Sequence, residues 1–366
     1  MKIGILSFTS TQNNYGQLLQ CYALQTYLNQ RGFDAVHIPF YPKESKISRL
    51  NSPKKIAEYL NSYLNWRSVI NKVRKITAQK GDNARKFDEF RLNAMKLYPT
   101  KYQSIDELRN NPPQVDALIA GSDQIWGSAL TNPDTDAWFL KFGDRNTRRI
   151  SYAASIGRQI ESSDLPLFKR HLTDFDYVSV REEGARKVCE KCGVDARVVL
   201  DPTLLLEADD YQRLINEYVE PKTSHQPYLF AYILNVLFAN DIHWAEFEEY
   251  ALGKGYKVKP VYSSGYYTAY PIIPGHTQLE PTIPEWLSLI RDASCVVTTS
   301  FHGVVFCILF KKPFISLPLP DRRGKGNDRV ATLLKSVGLE DRIFNPKMSV
   351  SAQMDAPIDW SSAHKK

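Results

Sequence analysis

At 366 residues the chain is longer than one hydrophobic core usually supports, so two domains are expected. Its 43% hydrophobic and 12% aromatic content excludes a disordered chain, and no run nears the roughly 18 consecutive apolar residues of a membrane-spanning helix. The net charge of +7 is concentrated: between Lys43 and Lys101 there are 15 Lys/Arg against 5 Asp/Glu, which leaves the remainder slightly acidic.

The chain opens on Met1-Lys2-Ile3-Gly4-Ile5-Leu6, which lacks a signal-peptide core and cleavage site and reads as a first strand over residues 2–8. A loop to Asn14 leads into a helix over 15–30, with Leu18, Leu19, Tyr22, Ala23 and Tyr27 on its apolar side and Gly32 closing it. Residues 35–38 form the next strand, and this β-α-β opening implies a parallel sheet. In the basic segment, Ile56, Tyr59, Leu60, Tyr63, Leu64, Ile70 and Val73 recur near helical spacing, flanked by Lys54, Lys55, Arg67, Lys72, Arg74 and Lys75. This is a helical insertion with a solvated basic side, or an interfacial pair on an anionic membrane face. No nucleic-acid recognition motif accompanies the charge, so no nucleic-acid partner is expected.

Strands resume at 115–120, 149–157 and 177–180, the last followed by a helix to about Lys191. Pro202 punctuates the chain, and the α/β pattern then repeats: strands at 228–234, 256–261, 294–298 and 313–317, with helices at 242–252, 284–292 and 329–337. The expected organisation is an N-terminal Rossmann-like domain, residues 1–200, carrying the basic insertion at about 43–101. A C-terminal Rossmann-like domain, 201–345, and a polar tail, 346–366, follow. Two such domains would face each other across a cleft.

No Gly-x-Gly-x-x-Gly, P-loop or His-Glu-x-x-His is present. Cys189-Glu190-Lys191-Cys192 has metal-pair spacing, but without a second pair it reads as exposed helical thiols, and no metal is expected. The five cysteines form no disulfide framework and fit a reducing cytoplasm, with Cys21, Cys295 and Cys307 as buried thiols.

Candidate chemistry gathers at strand-end loops. In Thr299-Ser300-Phe301-His302-Gly303 an apolar strand meets an apolar helix, with Ser300 as N-cap and His302 in the first turn. Free amides and the helix dipole there attract an anion, and imidazole exchanges protons near neutral pH. A capped, hydrogen-bonded structural histidine fits the same pattern. Asn14-Tyr15-Gly16-Gln17 suits a hydroxyl-rich ligand, or simple capping by Asn14. Ser122, Asp123, Gln124 and Trp126 offer a carboxylate, amides and a flat face typical of sugar contact, or a tight turn with a core tryptophan. Arg181 follows a strand, where its guanidinium could fork onto an anion or pair with Glu182 or Glu183. Arg322, Arg323 and Lys325 add cations in a Gly-rich loop.

Taken in order, Asn14–Gln25, Gly121–Trp126, Ser151–Gly157, Ser179–Glu182, Leu200–Thr203 and Thr299–Gly303 resemble the polysaccharide pyruvyl transferase family. The resemblance implies two Rossmann-like domains arranged as in GT-B glycosyltransferases. It also implies transfer of a pyruvyl group from phosphoenolpyruvate onto two sugar hydroxyls of a cell-surface or capsular polysaccharide precursor, giving a cyclic ketal and phosphate, with no cofactor. His302 maps onto the family's donor-side histidine, Arg181 onto a donor-binding arginine, and Arg322 or Arg323 onto a later one. Ser300 and Gly303 complete the donor turn with Lys325 nearby, and Asn14–Gln17 with Ser122–Gln124 and Trp126 form the acceptor side. Ser300 departs from the arginine that many members carry there, which leaves a compensating guanidinium to Arg181 or the 322–323 pair. In this reading His302 protonates the donor methylene and Asp123 orients or deprotonates an acceptor hydroxyl. A lipid-carried acceptor would place the enzyme at the inner membrane face through its basic insertion. A nucleotide-sugar glycosyltransferase and a non-catalytic glycan-binding relative share the architecture; sugar-nucleotide turnover, or indifference to His302→Ala, would mark them.

Overall fold

A computed structural model describes residues 1–42, 85–129, 134–157, 160–221, 226–236, 238–263, 272–319 and 327–363. Most of the basic insertion and the loop with Arg322, Arg323 and Lys325 lie outside these residues. The described residues divide by contact into two units, 1–11 with 17–42 and 88–206, and 12–16 with 85–87 and 207–363. The fold is α/β with a parallel sheet in each unit, as the sequence implies. No helix among the described residues is long and apolar enough to cross a membrane.

In the first unit β1 (Lys2–Leu6), β2 (Asp34–His37), β3 (Ala117–Ala120), β4 (Arg148–Ala154), β5 (Tyr177–Val180) and β6 (Arg197–Val198) form a parallel sheet ordered β2-β1-β3-β4-β5-β6. Central strands such as Ala117–Ala120 are apolar and buried throughout, because parallel strands are covered on both faces. β1 pairs with β2 on one side and β3 on the other, so the order reverses between β1 and β3. In open α/β sheets the crevice beyond the carboxyl ends at such a reversal is where ligands bind. Gly121–Gln124 leaves β3 at that place.

The second unit repeats the device. β7 (Tyr228–Leu234), β8 (Lys257–Ser263), β9 (Cys295–Thr298) and β10 (Phe314–Ser316) are parallel in the order β10-β9-β7-β8, and the reversal falls between β7 and β9. The Thr299–Gly303 turn leaves β9 there. The core under it includes Leu229, Ala231, Ile233, Phe247, Val297 and Ile315.

The tail departs from expectation. Val350–Met354 and Trp360–Ala363 are short helices, and Val350 and Met354 join the second core. Two apolar residues at i, i+4 are too few to stand out as periodicity. The segment is fixed instead by polar contacts: Gln353 accepts from Asn345 N at 2.8 Å, and the Arg342 guanidinium donates to its carbonyl at 3.0 Å.

Candidate active site

Beyond β3 the first unit holds a buried charge cluster. Arg181, the first residue after β5, has a side chain only 1% exposed. Its Nη1 donates to Asp201 Oδ2 at 2.6 Å, and its Nη2 to Asp123 Oδ1 at 3.4 Å. Burial disfavours the guanidinium charge, but the carboxylates of Asp201, Asp123 and Glu182 outweigh it, so Arg181 is held above an ordinary arginine. Asp201 is saturated: Oδ1 accepts Thr203 N at 3.1 Å and Thr203 Oγ1 at 2.7 Å, and Oδ2 also accepts Ser122 Oγ at 3.1 Å. Asp123 is the outer member, its side chain 10% exposed, with Oδ2 accepting Gln17 Nε2 at 2.7 Å. It sits at φ +80°, a conformation costing an L residue about 1 kcal/mol or more. The backbone is held there because Ser155 N donates to the Asp123 carbonyl at 2.9 Å. Glu182 fixes that neighbouring loop in turn, its Oε1 accepting Ser155 Oγ at 3.0 Å, Ile156 N at 2.9 Å and Gly157 N at 3.2 Å.

In the second unit Ser300 caps the helix Phe301–Leu309, its Oγ accepting Gly303 N at 3.2 Å. The turn is tied back to the sheet: Ser300 N donates to Thr298 Oγ1 at 3.0 Å, which donates to Tyr232 O at 2.7 Å. Gly303 lies so close that a Cβ there would meet Thr298 Oγ1 at 2.4 Å. His302 is 6% exposed. One side of its ring is walled by Gly16, where a Cβ would stand 2.1 Å from Nδ1. The Gly16 segment is anchored by Tyr15, which donates to Pro281 O at 2.7 Å and stacks on Trp286 with centroids 5.2 Å apart. Arg85 lies over the Tyr15 ring at 5.5 Å and donates to Tyr262 O at 2.9 Å, and Ser263 Oγ donates to Asn13 O. Burial pushes the Tyr15 phenol up, so it stays protonated as a donor.

The model of the polysaccharide pyruvyl transferase family matches residues 14–320. The chain belongs to the polysaccharide pyruvyl transferase family. No curated protein matches it. Among solved structures it is similar to the Methanocaldococcus jannaschii UDP-GlcNAc 2-epimerase in complex with UDP-GlcNAc and UDP, at 13% identity over 100% of this chain and 98% of that one, with a TM-score of 0.48. It is also similar to S. aureus MnaA with UDP, at 9% identity over 100% and 87% with a TM-score of 0.49. For the E. coli ADP-heptose lps heptosyltransferase II the figures are 12%, 94%, 89% and 0.38. Likenesses of this depth carry no weight for function.

Of the residues that resemblance to pyruvyl transferases singled out, the structure brings Gln17, Ser122, Asp123 and Arg181 into one cluster, and sets Gly16, Ser300, His302 and Gly303 about one turn. Asn14 and Gln124 are half-buried at their loops. Trp126 offers no sugar platform: it is 0% exposed, stacked on Phe139 with centroids 5.5 Å apart, its Nε1 donating to Trp138 O at 3.3 Å. Tyr15 is likewise buried and serves as an anchor. The Arg181 guanidinium donates to Asp201 and Asp123, while Glu183 bonds Arg186 and Glu182 holds the 155–157 loop. Cys189 and Cys192 are buried, and burial pushes the Cys189 thiol up to about 12, unlike the exposed pair expected. Arg322, Arg323 and Lys325 lie outside the described residues. Asp201 and Glu182 were missed as site residues; the signal for Asp201 was its place before Pro202, where an aspartate caps a turn.

Proposed function

We propose that this pyruvyl transferase takes its donor group from phosphoenolpyruvate and places it on two hydroxyls of a sugar in a cell-surface polysaccharide precursor. The observation that carries this reading is His302 in the first turn of a capped helix, at the sheet reversal, with its ring set against Gly16. Helix amides there favour an anion, and the donor carries a phosphate and a carboxylate.

Imidazolium His302 delivers a proton to the donor methylene carbon, and C2 becomes oxocarbenium-like. A sugar hydroxyl adds to C2 and gives its proton to Asp123. Phosphate departs with its C–O bond electrons and takes up the proton of the second hydroxyl as that hydroxyl closes the ketal; the proton held by Asp123 is released to solvent, from which His302 is recharged. General acid and base steps of this kind are each worth about 10² to 10⁴ in rate. Arg181, already held by two carboxylates, acts by fixing Asp123, and the donor charge falls to the helix N-terminus with Arg322, Arg323 and Lys325. The acceptor hydroxyls meet Asn14, Gln17 and Gln124, while Ser122, fully buried, supports Asp201 and Arg181 instead of touching the acceptor. No cofactor enters this scheme. The enzyme works in the cytoplasm, and the charge excess of residues 43–101 supports peripheral contact with an anionic membrane face when the glycan is lipid-linked.

Incubation with phosphoenolpyruvate and a panel of sugar acceptors is the test. Release of phosphate matched by ketal formation on the acceptor supports the reading. Turnover of a sugar nucleotide with indifference to phosphoenolpyruvate refutes it.

A further inference from the structure

We propose that this protein forms a twofold dimer through the edge strand β6, with the segment Val194-Asp195-Ala196-Arg197-Val198 running antiparallel to the same segment of a second copy. Parallel sheets are ordinarily covered on both faces. In the first unit the helix Tyr15–Gln30 packs on one face, where Leu24 and Leu28 meet Ile3, Ala35 and Ile119. Toward β6 that face opens: Ile150 and Tyr152 are half-buried, and Tyr177, in register with Ile150, is 65% exposed. A groove of about 720 Å³ lies there, lined by Tyr152, Tyr177, Asp195 and Arg197 among others. β6 ends the sheet, so one side of its backbone faces no other strand of it. Val199 N donates inward to Val180 O at 2.9 Å, and alternate strand residues bond to opposite sides, which turns the amide and carbonyl of Val198 outward. Such an edge is a template for another strand. The sequence selects the occupant. Laid against itself in the opposite direction with Ala196 on the axis, the segment sets Val194 opposite Val198 and Asp195 opposite Arg197, each pair twice. Apolar side chains then face apolar ones, and each carboxylate faces a guanidinium, the cross-strand pairs that stabilise a sheet. Asp195 and Arg197 are both exposed and, among the described residues, neither has an ion pair within its own chain. Charge on a short edge also keeps strands apart, but like charges do that, whereas this segment carries opposite charges in mirrored positions. Val198 and Leu200 add exposed apolar surface along the same edge, which a self-complementary contact covers on both copies at once.

Sedimentation velocity of the full chain across a wide range of concentration is the first measurement. A reversible dimer is expected. A groove that serves a sugar chain or a different protein leaves the purified chain monomeric at every concentration, and that result overturns the proposal. Arg197→Asp and Asp195→Arg each turn two attractions into two repulsions, and each should raise the dimer dissociation constant at least about tenfold. Both side chains are exposed, so the melting temperature of each variant's monomer should stay close to that of the wild-type monomer. Mixed together, the two variants should regain dimerisation, because one copy then presents two carboxylates and the other two guanidinium groups. The doubly exchanged chain, Asp195→Arg with Arg197→Asp, should dimerise by itself. A dimer indifferent to either single reversal, or single variants that do not recover on mixing, overturns the proposed contact. Hydrogen exchange of the unaltered protein needs no substitution: the Val198 amide should slow as the dimer forms, and an unchanged rate in a dimeric sample places the contact elsewhere and refutes the proposal.

Discussion

Gly16 stands against the imidazole of His302 so closely that a Cβ would lie 2.1 Å from Nδ1 and 2.5 Å from the histidine Cβ. The overlap involves the base of the side chain as well as its ring, so no rotation of the histidine alone relieves it. Gly16→Ala should therefore displace His302, lower stability by about 1–3 kcal/mol as overpacking does, and lower kcat at least tenfold. His302→Ala should lower kcat by about 10² to 10⁴. Denaturant unfolding separates steric from general damage: in a His302→Gly background, which removes the histidine Cβ as well as the ring, Gly16→Ala should cost little. Equal cost in both backgrounds would show that the ring is not what it meets.

Trp126 supplies a second test. Fully buried and stacked on Phe139, it should cost about 3–5 kcal/mol when truncated to alanine, and Trp126→Phe should lower the melting temperature while leaving acceptor KM unchanged. A raised acceptor KM at unchanged stability would restore the sugar-platform role.

His37 should make folding pH-dependent. Its Nε2 donates to Cys21 O at 2.9 Å, which leaves Nδ1 buried without a hydrogen-bond partner, and burial brings the imidazole down to about 4. The unfolded chain protonates near 6.5, so between about 6.5 and 4 it binds a proton that the folded chain refuses. Stability from this residue is full above 6.5 and falls with pH, by about 3 kcal/mol at the lower end. Urea unfolding from pH 7.5 to 4.5 measures it, and His37→Gln should flatten the slope across that window. A slope equal in wild type and variant would assign the acid sensitivity elsewhere.

The basic insertion predicts binding to vesicles containing anionic lipid that weakens as salt rises, at about 1 kcal/mol per basic residue near the surface. Most of it lies outside the described residues, so the expectation stands on charge alone. Deleting residues 50–80 should abolish the binding. Co-sedimentation that survives this deletion would exclude the segment as the membrane contact.

Much of this was legible in the sequence because strand ends and helix starts are local signals. The apolar run to Thr298, the cap at Ser300 and the first-turn place of His302 follow from neighbours in the chain, and the cap bond is found. Which strand ends adjoin is not local. Arg181 and Asp123 leave β5 and β3 with β4 between them, and Asp201 follows β6 at the sheet edge, so their meeting depends on strand order. The side chain of Trp126 points into the core for the same reason: its partners Phe139 and Phe175 arrive from distant segments. Ser300 shows the opposite limit, a departure from the family pattern visible in sequence whose replacement cation no local rule identifies.

The five residues Gln12–Gly16 belong by contact with the second unit although they precede most of the first in the chain. A gene fragment starting at Glu207 would thus encode every strand of the second sheet yet leave Trp286 without its stacking tyrosine and His302 without a wall. Swapping carboxyl-terminal halves between relatives near residue 206 should yield chimaeras that fail at the histidine unless this short amino-terminal loop travels with them.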